Sequence, residues 1–260
     1  MTGKVLVGYL DTERGRDALA LGRILARARG AELAVATVAE GQELALAASD
    51  QGADLVVLGS THRGPIGRIV PGTTMECLLG ESSCAVAVAP PGFAERADGE
   101  PVWLPLDGDV EDVGMRVVGV GYDGSPGSRA ALAYATELAL GNGAALRVFT
   151  VVRKVAPVGP ETAVGPNPTV EVEARRAELH QTVATLPAEV RAQPVLVRGF
   201  AVTELVKAAS LGVDLLVLGT HGRGHVGRLF HKSVAGEVAL EAPCPVLISP
   251  VPVRAPAVTA

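Results

Sequence analysis

Apolar positions in this chain fall into short runs of strand length, separated by stretches with helical spacing. KVLVGYL (4–10) is apolar enough for a strand buried on both faces, and the helical pattern at 12–29 that follows is closed by Gly30. A second strand is predicted at 32–38, a brief helix at 42–49, a strand at 54–59, a helix after Gly72 and a strand at 85–89. The series then restarts with a strand and helix at 116–140 and a strand at 146–151. An amphipathic helix at 169–185, a strand at 194–198 and an apolar strand at 246–249 follow. Strands alternating with helices predict parallel pairing through helical crossovers.

The restart is a repeat. ADLVVLGSTHRGPIGRIVPGTTMECLLGESSCAVAVAP (53–90) returns without gaps as VDLLVLGTHGRGHVGRLFHKSVAGEVALEAPCPVLISP (213–250), an offset of 160. Earlier in the halves, Gly8-Tyr9 matches Gly121-Tyr122 and 33–38 matches 146–151, at an offset of 113. The second half therefore holds about 47 residues that the first lacks: a Pro/Gly-rich loop (155–168), the helix at 169–185 and the strand at 194–198. Residues 92–114, rich in Pro, Gly and acidic residues, read as a linker in which Val102-Trp103-Leu104 is a candidate docking triplet. The expected division is 1–91, linker 92–114, 115–251 and a tail 252–260.

Composition narrows the class. The 260 residues are 48% hydrophobic but 3% aromatic, a balance that suits buried parallel strands under helices. No apolar run approaches the roughly 20 residues of a membrane span, and no basic segment precedes an apolar one at the N-terminus, so a soluble cytoplasmic protein is expected. Net charge of −5 gives nucleic acid no electrostatic encouragement. Cys77, Cys84 and Cys244 are odd in number, and Cys84 and Cys244 share a repeat position before an apolar strand; they read as reduced core thiols.

VGVGYDGSPGSRAALAYA (118–135), GTHGRG (219–224) and APCPVLISP (242–250) together resemble the universal stress protein domain, and the whole chain resembles two such domains in tandem. The resemblance implies an α/β fold of two doubly wound parallel sheets, strand order 3-2-1-4-5, that pair through their last strands. The first half would lack its edge strand and the preceding helix. It also implies an adenine nucleotide ligand, ATP or AMP with or without Mg2+, a homodimer formed by domain pairing, and a sensing or regulatory role in stress.

Family members that bind ATP carry Gly, two residues, Gly, nine residues, then Gly followed by Ser or Thr. Small residues let backbone N–H groups approach ribose and phosphate, and a helix N-terminus offers free donors and a positive dipole end. In the second half the resemblance assigns Asp123, Gly124 and Ser125 after strand one, Val151 and Val152 at the end of strand two, then Gly219 and Gly222. Lys232 stands where the pattern has its third Gly, followed by Ser233 and Val234. In the first half Gly59, Gly72, Thr73 and Thr74 keep the pattern, but His62 replaces the second Gly and Leu10 replaces Asp123, with Asp11 one position on.

Plainer roles compete at each position. Asp123-Gly124 is also a turn, the glycines also suit tight turns, and Ser125, Thr73 and Ser233 also suit helix caps. His221, His225 and His231 lack an accompanying carboxylate or Cys cluster and read as loop residues. Arg63 and Arg68 match Arg223 and Arg228, as phosphate partners or as a solvated rim. No nucleophile with an adjacent base and no GxxxxGK[ST] run is present, so any ATP hydrolysis should be slow. The readings left open are a nucleotide-responsive stress protein, a nucleotide-free interaction or chaperone-like protein with both sites degenerate, and an enzyme acting on an adenylated substrate.

Overall fold

A computed structural model describes residues 3–37, 41–60, 73–81, 84–97, 115–153, 168–220 and 233–251. The first half comprises β1 (Lys4–Gly8), α1 (Glu13–Arg29), β2 (Glu32–Ala36), α2 (Gly41–Asp50), β3 (Leu55–Gly59), α3 (Thr73–Glu81), β4 (Ala85–Ala89) and α4 (Phe93–Ala97). The second comprises β5 (Val117–Gly121), α5 (Pro126–Asn142), β6 (Ala145–Val152), α6 (Pro168–Ala184), β7 (Arg191–Arg198), α7 (Ala201–Ser210), β8 (Leu215–Gly219), α8 (Val234–Glu241) and β9 (Val246–Ser249).

Local chemistry sets the long helices. Thr12 accepts the Gly15 N–H to cap α1, and Ser125 accepts the Ser128 N–H to cap α5, with Pro126 at the first helical position. Both helices stop at a left-handed glycine, Gly30 (φ 57°) and Gly143 (φ 61°), whose N–H groups reach back to the last-turn carbonyls. β7 begins three residues before the expected start at 194. Pro194 is tolerated in it because β7 is an edge strand, with one side free of ladder bonds.

The nine strands among the described residues form one sheet in the order β2-β1-β3-β4-β9-β8-β5-β6-β7. Its second half is the expected order 3-2-1-4-5; its first half is the same order without the third strand. All neighbours run parallel except at the seam, where β4 and β9 are antiparallel with Ala87 opposite Leu247. These two residues are counterparts at the 160 offset, as they must be if a pseudo-twofold axis passes between them. The helices agree. A Cβ on Gly141 of α5 would overlap the Ala28 carbonyl of α1, and 28 and 141 are counterparts at the 113 offset. Only glycine lets the two helices approach so closely on the axis.

One apolar core lies between the sheet and α1, α5 and α6, and a second lies on the opposite face beneath α2, α3, α7 and α8. Cys84 and Cys244 are buried free thiols, and Cys84 Sγ donates to the Ala53 carbonyl at 2.8 Å. The stretch read as a linker opens with α4, which is held to α1 by Asp17. That buried carboxylate accepts the Gly92 and Ala94 N–H groups at 3.0 and 2.8 Å. Residues 102–104 lie outside the described residues.

One polar cluster ties the halves together off the axis. Arg29 of α1 donates to both carboxylate oxygens of Asp54 (2.6 and 3.1 Å) and to Glu137 of α5 (3.1 Å), and its guanidinium lies 4.9 Å from the centroid of the Tyr134 ring. Its counterpart Asn142 instead donates to the Leu138 carbonyl within its own helix. Among the described residues, no helix is long and apolar enough to cross a membrane.

Candidate functional site

In the second half the sheet creates a crevice. β5 lies between β6 and β8, and the helices that follow β5 and precede β8, α5 and α7, pack on opposite faces. The crossovers therefore diverge at the C-terminal ends of β5 and β8, the usual ligand position in an open α/β sheet. A cleft with about 570 Å³ of free space, part of it open solvent, occupies this point. Phe149, Leu205 and Leu218 are its large buried apolar residues. Val151, Ala201, Val234 and Ala235 also line it, and Asp123 and Ser128 supply its polar side chains.

The Asp123 turn is locked by its own hydrogen bonds. Asp123 Oδ1 accepts the Ser125 N–H at 2.9 Å, and the Asp123 N–H donates to Ser128 Oγ at 3.3 Å. Ser128 Oγ in turn donates to the Ser125 carbonyl at 3.0 Å. Gly124 adopts φ +80°, a region costly for other residues, and a Cβ there would lie 2.9 Å from Glu178 of α6. This turn presents an exposed carboxylate at the cleft mouth.

Several residues singled out in the sequence have structural duties. Gly219 lines the cleft, but it is glycine because a Cβ would overlap the Gly127 carbonyl in the first turn of α5. Gly59 meets the Arg14 carbonyl in the same way, so this contact belongs to the shared scaffold. Ser125 caps α5, and Ser233 caps α8 by accepting the Gly236 N–H at 3.0 Å. Val151 faces the cleft, whereas Val152 alternates to the other side of β6. Gly222, Lys232, Gly72, His62, His221, His225, His231 and the four matched arginines (Arg63, Arg68, Arg223, Arg228) lie outside the described residues. Among the described residues, no three His, Cys, Asp or Glu side chains converge on a metal position.

The first half departs from this arrangement. Leu10 and Asp11 are both exposed, and Gly15 replaces Ser128, its missing Cβ overlapping the Leu10 carbonyl. Ala36 replaces Phe149. A Cβ on Gly41 at the start of α2 would overlap Thr74 Cα in α3. The two helix starts therefore touch where their counterparts, Ala201 and Val234, line the cleft wall. Thr73 is the first residue of α3. Ser128, Phe149, Ala201, Leu205 and Leu218 were not singled out from the sequence. The differences between copies, Ser128 for Gly15 and Phe149 for Ala36, were the available signal.

The sequence model of the Universal stress protein family matches residues 39–90 and 115–250. The chain belongs to the universal stress protein family. A universal stress protein of Thermus aquaticus is 34% identical over 138 residues, 52% of this chain and 98% of that protein. Another from Mycolicibacterium smegmatis is 30% identical over 200 residues, 74% of this chain, and the match spans 60% of that relative's length. Among solved structures, a universal stress protein from Archaeoglobus fulgidus has a TM-score of 0.56 at 15% identity, over 96% of this chain and 86% of that one. A functionally unknown protein from Pseudomonas aeruginosa reaches 0.62 at 16% identity, over 96% and 93%. At these identities the structural likeness speaks to the universal stress protein fold alone, and that fold is the one seen here.

Proposed function

We propose that the second half binds an adenine nucleotide of the ATP or AMP type, and that binding regulates the protein in a soluble, cytoplasmic stress response. The observation that carries this reading is the cleft at the switch point, apolar around Phe149, Leu205 and Leu218 and polar at Asp123 and Ser128. Apolar walls suit a planar base, and a carboxylate beside a hydroxyl suits the ribose hydroxyl groups. Residues 115–251 are then the binding unit and residues 1–91 a companion whose own crevice is pinched where Gly41 meets Thr74. Binding is accordingly one nucleotide per chain.

Titration calorimetry with ATP, ADP and AMP, each with and without Mg2+, tests the reading. The expected result is one site per chain and a nucleotide-dependent rise in melting temperature that Asp123→Ala abolishes. No heat at millimolar nucleotide, or a rise that survives Asp123→Ala, defeats it and favours a nucleotide-free interaction protein.

A further inference from the structure

Universal stress protein domains were expected to pair through their last strands, but here β4 and β9 already pair within one chain, so that surface is occupied. The sheet ends instead in two edges, and they differ. β7 is guarded by Pro194, which has no N–H to offer, and by the exposed Arg191 and Arg198. β2, ELAVA, has a single charge, Glu32, which Lys4 partly neutralises at 3.3 Å. The second half also shows what this edge lacks. Val35 is 46% exposed, whereas its counterpart Val148 is fully buried, and Leu33 is partly exposed where Leu146 is fully buried.

We propose that β2 is a dimerisation strand, on which a second copy of this chain adds its own β2 antiparallel to continue the sheet. The backbone fixes the register. The Glu32 N–H donates to the Gly3 carbonyl and the Ala36 carbonyl accepts from the Tyr9 N–H, so 32, 34 and 36 point their backbone groups at β1. Leu33 and Val35 therefore point theirs outward. Centring the twofold on Ala34 makes Leu33 and the second copy's Val35 a hydrogen-bonded pair, twice over, and merges the two exposed strips on one face. Glu32 then faces Ala36, so no like charges oppose each other. A surface bare on one copy is bare on the other, and one isologous contact satisfies both.

Sedimentation equilibrium from low micromolar to several hundred micromolar protein should show a species of twice 26.5 kDa. Val35→Lys and Val35→Pro should each weaken association at least tenfold, the proline because the Val35 N–H points outward, with unchanged circular dichroism and, for Val35→Lys, unchanged nucleotide response. Ala34→Cys should form an interchain disulfide on mild oxidation, because residues on the axis form a non-hydrogen-bonded pair with close Cα atoms. A monomer at every concentration overturns the proposal, as does a dimer that both substitutions leave intact. So does a monomer whose Trp103 emission shifts in Val35→Lys, since residues 102–104 would then occupy the edge.

Discussion

Replacing Arg29 with Met removes the cluster that joins the halves while keeping the apolar stem. Arg29 retains 9% side-chain exposure, and its carboxylate partners Asp54 and Glu137 retain 43% and 52%. Two charge-assisted hydrogen bonds to Asp54 are worth about 1.5–3 kcal/mol, and the Tyr134 ring adds about 0.5–1 kcal/mol. The half-exposed Glu137 adds only about 0.5 kcal/mol. Relief from desolvating the guanidinium works the other way. Burial by itself would lower the Arg29 pKa, but Asp54 and Glu137 outweigh it and hold the pKa above its usual value, so the charged form is favoured in the fold. The net expectation is a loss of about 2–3 kcal/mol, because Asp54 keeps both solvent and the Lys4 N–H as partners. Urea unfolding followed by circular dichroism measures it, and molar salt should shrink the difference because both carboxylates are partly wet. A loss below about 0.5 kcal/mol would refute this accounting, and one no larger than that of Glu137→Gln would show that the Asp54 pair, which lies within the first half, adds nothing to the contact with Glu137 across the halves.

Gly219→Ala and Gly59→Ala each push a Cβ into a backbone carbonyl and should cost about 1–3 kcal/mol, measurable by thermal unfolding. Gly30→Ala, which meets nothing within 4 Å, should cost only the strain of its left-handed backbone, about 1 kcal/mol. Asp17→Ala leaves the Gly92 and Ala94 N–H groups without their acceptor, and should expose α4 to limited proteolysis before the sheet unfolds. Burial pushes the Cys244 thiol up to about 12 from an unfolded value near 9.0. The fold thus favours the neutral thiol; its contribution is complete below about pH 9 and is lost as pH rises toward about 12. Cys244→Ala should therefore lose less stability than the natural protein across that window in pH-dependent urea melts. Mass spectrometry after brief alkylation at neutral pH should find Cys77 labelled well before Cys84 or Cys244.

The scaffold was readable from the sequence because it is written twice. Short apolar runs at regular spacing give buried parallel strands, and the change of offset from 113 to 160 locates the missing helix and strand. The site was less readable. Gly59 and Gly219 look like ligand glycines, but a backbone carbonyl one helix away dictates both, and no local pattern contains that neighbour. Phe149 and Leu205 come from elements far apart in the chain and meet only because β6 and α7 flank the same crevice. Pro194 argues against a strand start at 191 until its place at the sheet edge is known.

Loss of the third strand from one half has effects that reach across the molecule. In the second half α6 covers β6 and also reaches the Asp123 turn, where Glu178 crowds Gly124. A half without α6 therefore loses both the cover of its second strand and a support for the turn that carries the acidic group. The first half shows both losses: Val35 is bare, and Leu10 stands where Asp123 would be. The seam and the α1–α5 crossing do not involve the third strand, so Ala87–Leu247 and Ala28–Gly141 keep their twofold relation. The deletion thus separates two properties that the intact domain combines. Both halves keep the join, but only the second keeps the crevice, while the first offers an open edge to a second copy.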